Sequence, residues 1–145
     1  MRVLAVDWGE RRIGLAVSDP KEVIATGLET LLVQGAGQGV EGVVRVAREV
    51  GAERVVVGLP LRMDGRRGAA AEAAQRLADQ VRERSGLPVE TYDERLTSAL
   101  SERRLHEVGV RTGHARARVD QGAAVALLES YLASLRARRS RGEEP

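Results

Sequence analysis

The chain has no cysteine and no phenylalanine, one tryptophan, two tyrosines and a single lysine, Lys21. Without cysteine, a disulfide framework and a thiolate zinc site are both excluded. With aromatic residues at 2%, the core has to be assembled from Val, Leu and Ala. No apolar stretch approaches the roughly 18 residues needed to span a bilayer. The first residues read as a strand and not as a signal peptide, so a cytoplasmic protein is expected. Asp, Glu and two histidines are the strong metal donors that remain. Such a set favours a hard cation, Mg2+ or Mn2+, bound as one or two ions.

What is present suits one domain. A chain of 145 residues with 43% hydrophobic content can bury a real core. We assign residues 1–138 to that domain and 139–145 to a charged, frayed tail. The net charge of +2 says little about partners. The grouping of the arginines says more, because a guanidinium stays charged and grips phosphate with two parallel hydrogen bonds. Arg11 and Arg12 flank the first turn, Arg62, Arg66 and Arg67 share one loop, and Arg111, Arg116 and Arg118 precede Asp120.

Hydrophobic spacing predicts strands at 2–7, 12–18 and 25–33, then a helix over 40–50 that follows a glycine-rich loop. The continuous run Val55-Val56-Val57 predicts a central strand covered on both faces. An alanine-rich helix over 69–84, a short strand at 89–92 and helices at about 97–108 and 119–138 complete the order β-β-β-α-β-α-β-α-α. This is an α/β chain with a mixed, five-stranded sheet: an antiparallel meander of three strands, then alternating strands and helices, with helices on both faces.

Three acidic positions stand out. Asp7 ends the first strand and continues the apolar row Val3, Ala5. A carboxylate there is costly unless it binds something. Asp93 and Glu94 end the last strand, and alternation leaves either able to face the first. Asp120 falls in the stripe formed by positions 124, 127, 128, 131 and 135, although an acid in a first helical turn also suits the helix dipole. Functional groups of parallel sheets gather at the carboxyl ends of strands. Three carboxylates there could hold one or two divalent ions for phosphodiester hydrolysis. The other polar residues read as bland: His106 and His114 as surface groups, Gly58 as a strand end allowing close backbone approach, and Trp8 as partly buried, with base stacking as the alternative.

Four segments in order carry a resemblance: Asp7-Trp8-Gly9 with Arg12-Ile13-Gly14-Leu15-Ala16-Val17-Ser18-Asp19; Val57-Gly58-Leu59-Pro60 with Met63-Asp64-Gly65; Asp93-Glu94-Arg95-Leu96-Thr97-Ser98; and Asp120 with Ala123-Ala124. Over roughly residues 2–135 the chain resembles the bacterial YqgF family, also called RuvX, of Holliday-junction-resolvase-like pre-16S rRNA nucleases. The resemblance implies a ribonuclease-H-like fold, with Asp7, Glu94 and Asp120 as catalytic and metal-binding acids and Asp93 in reserve. It implies a metal-dependent endonuclease that trims the 5′ end of precursor 16S rRNA, with the ribosomal subunit as a possible partner and no membrane. Branched DNA is the alternative substrate, and a non-catalytic ribosome-associated or nucleic-acid-binding factor the alternative role. A sugar kinase or actin-like ATPase shares the Asp-x-Gly turn but needs two lobes. The expected nucleic-acid-binding set is Arg11, Arg12, Arg62, Arg66, Arg67, Arg95, Arg111, Arg116 and Arg118.

Overall fold

The chain opens with a strand that is buried at every residue, β1 (Val3–Asp7), and hairpins back through β2 (Arg12–Ser18). The turn is tight: a side chain at Gly9 would collide with the carbonyl oxygen of Arg12. In this computed structural model, residues 1–96 and 113–143 are described, with the side chains of the last helix described from residue 122. Two short strands follow, β3 (Ala25–Gly27) and β4 (Leu31–Leu32), and both pair with β2. Helix α1 (Ala36–Glu49), β5 (Arg54–Leu59), α2 (Ala69–Ser85), β6 (Val89–Asp93), a 3-10 turn (Glu94–Leu96) and α3 (Gly113–Ser140) complete the described chain.

The sheet order is β3-β2-β1-β5-β6, with β4 beside β2. Strands β1, β5 and β6 are parallel to one another, and β2 is antiparallel to β1. The mixed sheet is thus as expected, with one difference. The stretch 25–33 is two strands rather than one, because the chain leaves the sheet between Gly27 and Leu31 and rejoins it at the other end of β2. The connection before α1 is also shorter than composition suggests. Gly39 and Gly42 lie inside the helix, where added Cβ atoms would sit 3.1 Å from Ile13 Cδ1 and 2.9 Å from Leu31 Cδ1. Close packing against the sheet outweighs the poor helix propensity of glycine. Helix α3 begins at Gly113, six residues before its expected start, and takes in Arg116 and Arg118.

Each sheet face has its own core. Leu4, Val6, Val55 and Val57 face α1 and α2. Val3, Ala5, Ala16 and Val56 face α3, which presents Ala124, Leu127, Leu128, Tyr131 and Leu135, all fully buried. Those five positions are the stripe that the 3.6-residue period predicts. The sense of α3 follows from its polar contacts. Tyr131 and Arg138 bind Glu90 near the start of β6, whereas Ser130 bonds Tyr92 and the Leu96 carbonyl farther along. The helix therefore runs antiparallel to β6, and its earlier turns lie toward the carboxyl edge of the parallel strands. At its other end α3 continues to Ser140, past the expected end at 138. There Arg139 pairs with the buried Glu22 at 2.7 Å, and the Met1 ammonium reaches the same carboxylate at 3.2 Å.

Candidate active site

Asp7 is buried, 5% exposed, at the carboxyl end of β1. Strand alternation puts it on the α3 face, in line with Val3 and Ala5. Its ladder partner on β2 is Gly14. On the other side Val6 pairs with Val57, so Gly58 is its neighbour on β5. A carboxylate flanked by two glycines stands in a clearing, since neither adjacent strand projects a side chain beside it.

Glu94 enters that clearing. It is 1% exposed, in the 3-10 turn that follows β6. A Cβ built on Gly58 would strike its Oε1 and lie 3.0 Å from its Cγ. Gly58 alternates with Val56 and faces α3, so the Glu94 carboxylate lies over β5 on the same face as Asp7. Neighbouring strands are about 4.8 Å apart, so the two acids share one short stretch of the sheet edge.

Asp93, the reserve ligand, points elsewhere. Its carboxylate grips Arg95 through Nε at 3.0 Å and Nη2 at 2.7 Å, and it accepts the Arg95 backbone N–H at 2.9 Å. The Arg95 hydrogen bonds hold the Asp93 carboxyl below the usual carboxylate range. Between Asp93 and Glu94, it is thus Glu94 that lies over Gly58, on the face of the sheet that Asp7 occupies. Asp120 lies within α3, one turn before the buried Ala124 and toward the carboxyl edge; its side chain is outside the described residues. Among the described residues no three His, Asp or Glu side chains gather as a metal site. Asp7 and Glu94 supply two hard oxygen donors, a set chemically suited to Mg2+ or Mn2+.

The arginine loop is ordered by its own hydrogen bonds. Gly65 N–H donates to the Arg62 carbonyl at 2.8 Å and Arg62 N–H to the Arg66 carbonyl at 2.9 Å, with Gly65 at φ +85°. Arg66 is 3.5 Å from Asp64 and largely exposed, and Arg67 is exposed. The loop packs beside Arg95, whose Nη1 lies 3.4 Å from where a Gly65 Cβ would be. Arg62, Arg66, Arg67 and Arg95 therefore form one basic group just beyond the ends of β5 and β6. Arg11 is exposed on the first turn, and Arg12 begins β2 opposite Leu32. Arg111 lies outside the described residues, as do the His106 position and the helix expected over 97–108. Arg116, Arg118 and His114 belong to α3, with side chains outside the description. The pairing of Gly14 and Gly58 around Asp7 was not singled out from sequence. Both glycines are visible there, but only the strand register makes them neighbours.

The description "Holliday junction resolvase", carried by the RuvX family model, matches residues 1–134. The chain belongs to the RuvX family. Relatives agree over nearly the full length. RuvX proteins named "Putative pre-16S rRNA nuclease" are 43% identical over 98% of this chain and 93% of the relative in Chloroflexus aurantiacus. In Mycolicibacterium paratuberculosis the figures are 44%, over 94% of this chain and 82% of the relative. Among solved structures, RuvC of Thermus thermophilus in complex with a Holliday junction substrate superposes with a TM-score of 0.56 at 20% identity. The match covers 93% of this chain and 96% of that one. That likeness gives the ribonuclease-H-like fold. RuvX membership gives the class of activity, a nuclease that hydrolyses phosphodiesters.

Proposed function

We propose that this RuvX protein is a metal-dependent endonuclease acting on structured RNA, with the 5′ end of precursor 16S rRNA as its substrate. The observation that carries the reading is that buried Glu94 lies over Gly58, the β5 neighbour of buried Asp7, at the carboxyl edge of the sheet. Two buried carboxylates side by side repel each other and are costly to desolvate. A cation between them offsets both costs. Asp7 and Glu94 would hold the ion, and Asp120 would complete the set from α3. A divalent ion bound there supplies Lewis-acid stabilisation of the scissile phosphate and an acidified water nucleophile.

The protein's own part is to place the phosphodiester. The basic group of Arg62, Arg66, Arg67 and Arg95 lies beside the acids and suits the flanking phosphates, with Arg11 and Arg12 on the opposite side of β1 and Arg116 and Arg118 in the first turns of α3. Phosphate contacts position a strand without reading its sequence. The names of the relatives favour RNA, and the family description favours junction DNA. The test offers purified protein a precursor-rRNA 5′ fragment and a four-way DNA junction, each with Mg2+, with Mn2+ and with chelator. Cleavage of the RNA that needs the ion and is lost in Asp7→Asn is the expected result. Cleavage confined to the junction would move the substrate to branched DNA. Cleavage insensitive to chelator would overturn the metal site.

A further inference from the structure

Directly after Asp7 the chain places its only tryptophan. Asp7 faces α3, whereas Trp8 is half-buried and packs against the core on the opposite face of the sheet. There it helps to line a cavity of about 600 Å³ between the first hairpin and helices α1 and α2. On the α2 side that cavity is lined by Leu77 and by Ala69, Ala70 and Ala73, which carry nothing beyond Cβ. Its rim carries Glu10, Arg76 and Gln80. A second cavity, of about 780 Å³, adjoins it through Glu10, Val33 and Gly35 and contains Arg11.

We infer that the Trp8 cavity is a nucleotide subsite that receives one unpaired base of the substrate strand, next to the bond being cut; the role in cleavage rests on the nuclease reading above. Four observations converge on this occupant. An indole and three small alanine side chains line the same cavity, which leaves room for a planar ring, and base–aromatic stacking tolerates every base. The rim offers an acceptor at Glu10 and donors at Arg76 and Gln80, which suits a base edge with both kinds of group. Arg11 next door suits a phosphate. The slot also lies at the carboxyl end of β1, the end of the parallel strands outside which open α/β sheets bind ligands. Because Asp7 and Trp8 are consecutive, their Cα atoms are about 3.8 Å apart. Their side chains leave opposite faces of the sheet, so a strand that wraps over the sheet edge meets the acids on one face and the slot on the other. Trp8 is then a specificity-determining residue: it selects substrates with an unpaired nucleotide beside the scissile bond and sets the register of the cut.

Trp8 is its own probe, because no other indole is present. In chelator, wild-type protein and Ala73→Leu are titrated with a short single-stranded RNA, the same RNA in a perfect duplex, and each ribonucleoside monophosphate. Indole fluorescence and the anisotropy of a dye-labelled strand are both followed. Leucine keeps the helix and fills the half-buried slot position. The expected result is quenching by the single strand and little by the duplex, with apparent affinity about tenfold weaker in Ala73→Leu. Quenching by the monophosphates as well would show that free nucleotides enter the same slot. Equal quenching of both proteins overturns the inference. So does a silent indole while the labelled strand binds, and that outcome leaves the nuclease reading intact. Failure of the strand to bind at all counts against both.

Discussion

The carboxylate of Glu94 fills the space that a side chain at Gly58 would need. A methyl group there would meet Oε1 and crowd the Glu94 Cγ at 3.0 Å. Gly58→Ala is therefore expected to push Glu94 away from Asp7 without touching either acid chemically. A displacement of about 1 Å can cost about 100-fold in rate, and the added methyl about 1–3 kcal/mol of stability. Cleavage assays and thermal melts of the folded variant check both. Adding Glu94→Asp, which shortens the displaced side chain, should recover part of the stability.

Asp7→Asn should abolish cleavage and leave the fold intact. It removes a buried charge while keeping the side-chain shape, so stability should hold or rise slightly. A melt at or above the wild-type temperature with cleavage at background is the expected pair of results. Unchanged cleavage in carefully purified variant protein would remove Asp7 from the reaction.

The neighbouring acids should separate cleanly. Glu94→Gln keeps the side-chain shape but removes the charge that would hold the ion, and is expected to lower cleavage at least about 100-fold. Asp93→Asn breaks the pair with the partly exposed Arg95 and should cost under about 1 kcal/mol, with cleavage reduced far less. Parallel turnover measurements decide between them, and equal losses would put Asp93 in the site.

Neutralising Arg66 and Arg67 together should weaken binding to RNA and DNA alike. The log–log salt slope should flatten by about 0.7–0.9 for each phosphate that the variant no longer neutralises. Turnover of bound substrate should change much less than in Asp7→Asn. Filter binding across a salt series measures the slope, and wild-type values would reduce the loop to a solvated turn.

Glu90 predicts a pH dependence. Burial alone would push its carboxyl up, but hydrogen bonds from Arg138 and Tyr131, with Arg54 nearby, outweigh burial and hold it below its ordinary 4.5. A lowered folded-state value contributes stability above the ordinary value, and the contribution is lost as pH falls through the lowered one. Glu90→Gln should thus cost about 1 kcal/mol at neutral pH, allowing for a carboxylate a third exposed, and the gap to wild type should close in acid. Denaturant titrations at neutral and acidic pH follow the closure.

Several elements were legible in the sequence because their signals are local. The first hairpin, β5 and the Ala124-to-Leu135 stripe each announce themselves by spacing. The errors fall where distant packing overrides local preference. Gly39 reads as a loop residue and Gly42 as a poor helix former, yet both let α1 lie against Ile13 and Leu31. The stretch 25–33 reads as one strand through Thr26, Leu28, Thr30 and Leu32, but only register with β2 shows that it pairs at two separate places. In the site, Asp7 was legible as an acid closing an apolar row. The choice between Asp93 and Glu94 was not, because it depends on Arg95 capturing one carboxylate and Gly58 making room for the other.

Glu22 accepts both the Met1 ammonium and Arg139, and its own carbonyl faces Arg136. Neither end of the described chain can peel away without baring the same buried charge. Opening at the start of β1 and opening at the last turns of α3 are then a single thermodynamic event. In amide hydrogen exchange, the protection of Val3 and of the final α3 turns should rise and fall together across denaturant, as one cooperative unit drawn from the two extremes of the sequence.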